Sequence, residues 1–184
     1  NKGYRLAYIW NRGAELATGD RLIFGNSDII SHPNRVEEHL KFGRNLVAGI
    51  YPSIPMEKVS VITKKMISQD FSKIESFAEK DRRIDFINKS KRPHLIHGKK
   101  IPPRYMYGGN WSCPSDIFNE LGGLDEGFKG WGGEDFDFAR RAQYNGYNVI
   151  LNVNCIGYHL DHKTVNRDKT RSTGKGYFNK KWSK

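Results

Sequence analysis

Three short segments of this sequence carry side chains whose types and spacing suit chemistry. The first is Asn26-Ser27-Asp28, directly after the apolar run Arg21-Leu22-Ile23-Phe24, which reads as a strand. In an open α/β sheet, ligands bind beyond the carboxyl ends of the strands. A carboxylate there, with oxygen donors beside it, suits a hard divalent cation such as Mn²⁺ or Mg²⁺. By itself such a tripeptide is usually just a turn. The second segment is Gly130-Trp131-Gly132-Gly133-Glu134-Asp135-Phe136-Asp137. Acidic residues at a helix start complement the helix dipole, which accounts for Glu134 and Asp135 but not for the glycines or the indole. Glycines let backbone approach a ligand closely, and an indole can stack on a sugar face. Adjacent carboxylates can act as a general base. The third segment is His159-Leu160-Asp161-His162, with histidines at i and i+3 beside an acid. This pattern can ligate a metal. It gains meaning from Asp28, because a lone aspartate is a poor metal site.

Elements must bring these segments together. Leu6, Trp10, Ala14 and Ala17 share one face of an expected helix over residues 4–17, stopped by Thr18-Gly19-Asp20. A helix over 33–42 and a strand over 46–51 follow. The stretch 59–89 reads as mostly helical after Lys65, and 90–104 as a basic loop. Residues 105–113 hold a strand, and Ser115 is placed to cap a short helix ending near Gly122. A further helix spans about 134–145 and stops at Gly146. Strands are expected at 148–153 and 156–159. Alternating strands and helices imply an α/β fold with a largely parallel sheet flanked by helices.

The chain has 184 residues and a net charge of +11. The excess is local: residues 79–104 and 163–184 are strongly basic, and the remainder is near neutral. The reading is one domain over 1–162 followed by a basic tail over 163–184. Basic segments of this kind can meet anionic glycans, a membrane surface or nucleic acid, or serve only solubility. No run approaches the length of a membrane span. The two cysteines, Cys113 and Cys155, make no disulfide framework and read as buried free thiols. Free thiols and the lack of a signal-like start point to the cytoplasm, at a membrane face if the basic segments engage one. A fragment of a secretory-pathway protein would look the same.

The three segments, in this order, resemble glycosyltransferases of the GT-A fold. The likeness is to the lactose-synthase-type galactosyltransferases, the polypeptide N-acetylgalactosaminyltransferases and the bacterial chondroitin-type polymerases. NRGAELATGDRLIFGNSD resembles their approach to the Asp-x-Asp motif. GGNWSCPSDIFNELGGLDEGFKGWGGEDFDFARRAQYNGYNV resembles their acceptor-side signature, and YHLDH resembles the segment that supplies a metal-binding histidine. The resemblance implies a Rossmann-like GT-A sheet that lacks, at its N-terminus, a strand–helix–strand unit carrying much of the nucleotide-base pocket.

The same resemblance implies residue roles. Asp28 matches the metal-holding aspartate, His162 the metal-ligand histidine, and His159 a second ligand found in some members. Asn26 stands where the first aspartate normally sits, which keeps an oxygen donor and loses a charge. Asp135 matches the catalytic base of inverting members, with Glu134 beside it on the acceptor. Trp131, Gly132 and Gly133 fall at the sugar subsites, and Gly108, Gly109 and the adjoining Asn110 at the donor sugar. The implied reaction moves a sugar from a UDP-sugar to a hydroxyl of a glycan or glycoconjugate, with Mn²⁺ or Mg²⁺. Lys163, Arg167 and Lys169 could add positive charge at the diphosphate. Three rivals remain at this level: a catalytically silent glycan- or nucleotide-binding relative, a nucleic-acid-binding module, and a metal-dependent hydrolase. No nucleic-acid motif is present, so no nucleic-acid partner is expected.

Overall fold

A computed structural model describes residues 5–81, 84, 98–163 and 167–183, without the side chains of 167–172. Seven strands form the sheet: β1 (Arg21–Gly25), β2 (Ile29–Ser31), β3 (Leu46–Ile50), β4 (Ser53–Ile54), β5 (Lys99–Lys100), β6 (Asn110–Pro114) and β7 (Val149–Leu160). Their order is β1-β6-β3-β7-β2, with β4 and β5 also pairing with β7. The expected α/β class holds, but the expectation of a largely parallel sheet does not. Only β3·β7 and β4·β7 are parallel, whereas β1·β6, β3·β6, β2·β7 and β5·β7 are antiparallel. Strand–helix alternation sets which segments are strands. Strand direction depends on how each connection returns, and β6 inserts between β1 and β3 running against both.

β3 and β6 are buried along their whole length, as strands covered on both faces must be. α1 (Leu6–Leu16) turns Ala7 and Trp10 onto the sheet. There Trp10, Phe24, Trp111, Phe118 and Phe138 form an aromatic core, with Phe24 stacked on Trp111 at 4.1 Å. α2 (Arg35–Leu40) buries His39, whose pKa burial pushes down to about 4, so the ring is neutral at pH 7. Around Ile54, Ile74 and Tyr158 a second, smaller cluster forms. α3 (Met56–Val59), α4 (Lys64–Gln69) and α5 (Phe71–Phe77) accompany it; the mostly helical stretch expected after Lys65 is divided at Asp70.

Other differences are local. The two strands expected at 148–153 and 156–159 are one strand, β7. Its pairing with β3 jumps from Gly49↔Asn152 to Ile50↔Ile156, and Asn154 N–H turns back onto Asn152 Oδ1 at 3.0 Å. A bulge thus accommodates the polar residues that made the sequence look interrupted. Ser115 does not cap α6 (Ser115–Glu120); Pro114 occupies that position without a side-chain bond. α7 (Glu134–Tyr144) stands where expected. The C-terminal segment expected as a tail contains a helix, α8 (Arg167–Trp182), docked on the body. Cys113 and Cys155 are buried and form no disulfide. Of the expected loop, residues 90–97 lie outside the described residues; Lys99–Lys100 form β5, and Pro103–Tyr105 form a short 3₁₀ turn. Among the described residues, no helix is long and apolar enough to cross a membrane.

Candidate metal and acid site

The antiparallel pairing of β2 with β7 opposes Ile29 to His159, and Leu160 N–H donates to the carbonyl of Asp28 at 2.8 Å. Backbone ladder bonds therefore fix Asp28 beside the end of β7. The Asp28 Oδ2 atom lies 3.4 Å from His159 Nε2 and 3.1 Å from His162 Nε2. One ligand atom from each of the three lies within 4.8 Å of the others. The imidazole placement is informative. His162 Nδ1 is 3.1 Å from the Lys163 carbonyl, an acceptor for a proton on that nitrogen. His159 Nδ1 is 3.3 Å from Asp161 Oδ1. Both rings thus have an acceptor at Nδ1 and turn Nε2 toward the same carboxylate oxygen. This is the arrangement in which outer partners orient histidine ligands toward a metal. Asp28 Oδ1 is buried and has no hydrogen-bond partner among the described residues. His159 and His162 hold the Asp28 pKa below its usual range, chiefly through the bond to His159. Asp28 raises that of His159 in turn. The donor set, one carboxylate and two imidazoles, fits a divalent cation such as Mn²⁺.

The acid pair is built by the glycine run. Gly132 and Gly133 have φ of 87° and 105°, a left-handed backbone that other L-residues adopt only with strain. Gly133 caps α7, which begins at once with Glu134 and Asp135. Glu134 is buried, and among the described residues its Oε2 has no partner. Burial raises its pKa, and the neighbouring Asp135 charge raises it further. Asp135 is also raised by its dense surroundings, opposed by the backbone N–H groups of Phe136, Gly108 and Gly133. It keeps partial solvent access. Phe136 N–H donates to Asp135 Oδ1 at 2.7 Å. The two carboxyls therefore share a proton more readily than isolated acids would.

Gly108 and Gly109 join the two halves. A Cβ on Gly108 would sit 3.4 Å from Asp135 Oδ2, and one on Gly109 would sit 3.3 Å from Ile29 and Tyr51. Ile29 adjoins Asp28, and the Tyr51 ring is 6.4 Å from His159. A side chain at Gly108 would crowd Trp10 and Asp135, and one at Gly109 would crowd Ile29 and Tyr51.

Other expected residues fall differently. Asn110, expected at the donor sugar, has its side chain spent on internal bonds. It is fully buried, with Oδ1 accepting from Arg35 Nε at 2.8 Å and facing His39 Nε2 at 2.9 Å. Its Nδ2 donates to the carbonyls of Ile50 and Cys155. It ties β6 to β3, β7 and α2. Asn26 is half-buried in the β1–β2 turn and makes no hydrogen bond to the trio among the described residues. Trp131 is half-buried, and Gly174 of α8 packs against its carbonyl and that of Gly132. Lys163 is exposed, while the side chains of Arg167 and Lys169 lie outside the described residues.

Sequence reasoning missed Asp137. It is fully buried, bonded to Arg141 Nε at 2.9 Å, Lys181 Nζ at 2.8 Å and Trp182 Nε1 at 2.9 Å. It anchors α8 to α7 instead of facing substrate. The i,i+4 spacing to Arg141 was the available signal. Nothing local announced the partners from α8.

Known proteins give the following comparisons. Residues 96–163 match the family model described as the N-terminal domain of galactosyltransferase. The chain is 26% identical to an uncharacterized glycosyltransferase, YfnE, of Bacillus subtilis, over 88% of this chain and 49% of that protein. It is 25% identical to the validoxylamine A glucosyltransferase of Streptomyces hygroscopicus subsp. jinggangensis, over 92% of this chain and 42% of that protein. The chain thus spans about half the length of the curated relatives it matches. A shorter match, 39% identical over 27% of this chain, is to rat β-1,4-galactosyltransferase 6, of which it covers 13%. Among solved structures, the mannosyltransferase PcManGT of Pyrobaculum calidifontis superposes with a TM-score of 0.53 at 14% identity. That match covers 83% of this chain and 35% of that one. The fold is that of the GT-A glycosyltransferases, and the resemblance seen in the sequence extends to the structure.

Proposed function

We propose that this chain is the metal- and acceptor-binding part of a glycosyltransferase that moves a sugar from a UDP-sugar to a hydroxyl of a glycan or glycoconjugate. The observation that carries the reading is the convergence of His159 and His162 Nε2 on Asp28, with both Nδ1 atoms already oriented. PcManGT was solved in complex with GDP-Man and Mn²⁺, which supports a nucleotide-sugar and a divalent cation here.

Asp28, His159 and His162 would hold the cation. A bound divalent cation supplies Lewis-acid stabilisation of the charge that builds on a diphosphate leaving group. Gly108 and Gly109, with no side chain of their own, would let the donor sugar lie against the backbone between that trio and the acid pair. Asp135, next to this space and open to solvent on one side, takes the proton from the acceptor hydroxyl. The acceptor oxygen then forms a bond to the anomeric carbon as the bond from that carbon to the diphosphate oxygen breaks. UDP leaves with the electron pair. Attack opposite the leaving group inverts the anomeric centre. Glu134, protonated more readily than an ordinary glutamate, orients the acceptor beside it.

Calorimetric titration with UDP and with GDP, each with and without Mn²⁺, tests the donor side. The expected result is Mn²⁺-dependent binding of UDP that Asp28→Ala removes. Metal-independent binding, or binding indifferent to that substitution, would overturn the metal assignment. Asp135→Asn should abolish transfer and leave donor binding intact; equal loss of both would make Asp135 structural.

A further inference from the structure

A groove runs along α7 away from the acid pair. One wall is the face formed by Phe136, Arg140, Gln143 and Tyr144, spaced i, i+4, i+7 and i+8; the other is Pro102-Pro103-Arg104. The space is about 370 Å³. Gln143 Nε2 donates to the Ile101 carbonyl at 3.0 Å and locks the walls together. Both walls lead back to one point. α7 begins at Glu134-Asp135, and the chain beyond Arg104 reaches Gly108, against Asp135 Oδ2. From Asp135 to Tyr144 the helix rises about 13 Å, which suits an extended ligand rather than a single sugar.

The polar groups of the groove are cationic. Among the described residues, neither Arg104 nor Arg140 has a carboxylate partner, although many other basic side chains on this protein do. Arg140 is held in place: its guanidinium lies 4.2 Å from the Trp182 ring centroid and 5.9 Å from that of Tyr144, and those two rings stack. Arg104 lies against Tyr105. Lys99 and Lys100 of β5 are exposed a few residues upstream, outside the groove. Aromatic and proline surfaces offer faces for sugar rings, and a planar guanidinium matches a carboxylate bidentately.

We infer that this groove holds the acceptor's non-reacting sugars and selects a chain carrying uronate carboxylates, read by Arg140 and Arg104. The inference rests on the reading of Asp135 as the point where an acceptor hydroxyl reacts. It adds the acceptor's chemical class, which the acid pair does not specify.

Calorimetry with two probes of equal length tests it: a hexamer of galacturonic acid, and the same hexamer with its carboxyls reduced to alcohols. The uronate should bind at least tenfold more tightly. Arg140→Gln and Arg104→Gln should each cut that preference several-fold, while Lys99→Gln, outside the groove, should change it less than twofold. Arg104 is an exposed-side contact to Tyr105 only, so its variant keeps the test informative if Arg140→Gln unfolds the Trp182 stack. Equal binding of the two hexamers, or a preference that Lys99→Gln lowers as much as the arginine variants, would overturn the inference. UDP–Mn²⁺ binding, measured on the same variants, separates the two readings. Its absence alongside an Arg-dependent uronate preference would sink the transferase reading and leave the groove. Its presence without the preference would do the reverse.

Discussion

Glu134 shows how a single residue records the purpose of its position. A glutamate at the first turn of a helix is favourable when solvated, because the helix dipole attracts it. Here it is buried with one oxygen unpartnered among the described residues and the Asp135 charge beside it, and its pKa is raised. A raised folded-state pKa contributes stability that is full below the unfolded value, near 4.5, and is lost as pH rises through the folded value. Glu134→Gln removes the ionisation and should therefore raise the melting temperature at pH 8, with the gain vanishing at pH 4. Thermal scans at the two pH values check this; a uniform loss at both would mean that the carboxylate is structurally required. The sequence identified this pair by type and setting. It could not show that the third acid of the cluster, Asp137, is paired to Arg141, Lys181 and Trp182 and faces away from the chemistry.

At the scale of elements, the docking of α8 is the largest departure from what the sequence suggested. Its composition is basic and its large apolar residues are only three, Tyr177, Phe178 and Trp182, all in its last two turns, so no sustained amphipathic period marks the helix. Contacts made one at a time hold it instead. Phe178 stacks on Phe136 at 4.5 Å, Tyr177 OH meets Asp125, and Lys181 bridges Asp125 and Asp137. Gly174 allows backbone to lie on backbone, because any Cβ there would collide with the Gly132 carbonyl and crowd that of Trp131. Gly174→Ala should cost about 1–3 kcal/mol, the usual range for overpacking a tight contact. Urea denaturation followed by Trp182 fluorescence would show it. An unchanged midpoint would mean that α8 does not rest on the glycine-rich turn.

For the whole molecule, one sheet holds both halves of the site. β7 pairs with β2 at the metal trio and with β3 in the centre, while β6 lies between β3 and β1. Trp111 on β6 is fully buried among Trp10, Phe24 and Phe138, and among the described residues its indole N–H has no partner. Trp111→Ala should cost about 3–5 kcal/mol and lower far-UV circular dichroism and fluorescence midpoints together. Trp111→Phe should cost much less, since it gives up no hydrogen bond. Separate midpoints for the two probes would mean that the sheet and the site melt independently. What the amino-acid sequence determined was local: helix starts and stops, the alternation of strands with helices, and the three chemical segments, because periodicity, glycine and acidic clusters act over a few residues. Only the tertiary structure decided strand direction, the single bulged β7, the burial of Asn110 and the docking of α8. Each of these is a contact between segments far apart in the chain, and no local pattern encodes which distant partner will satisfy a buried polar group.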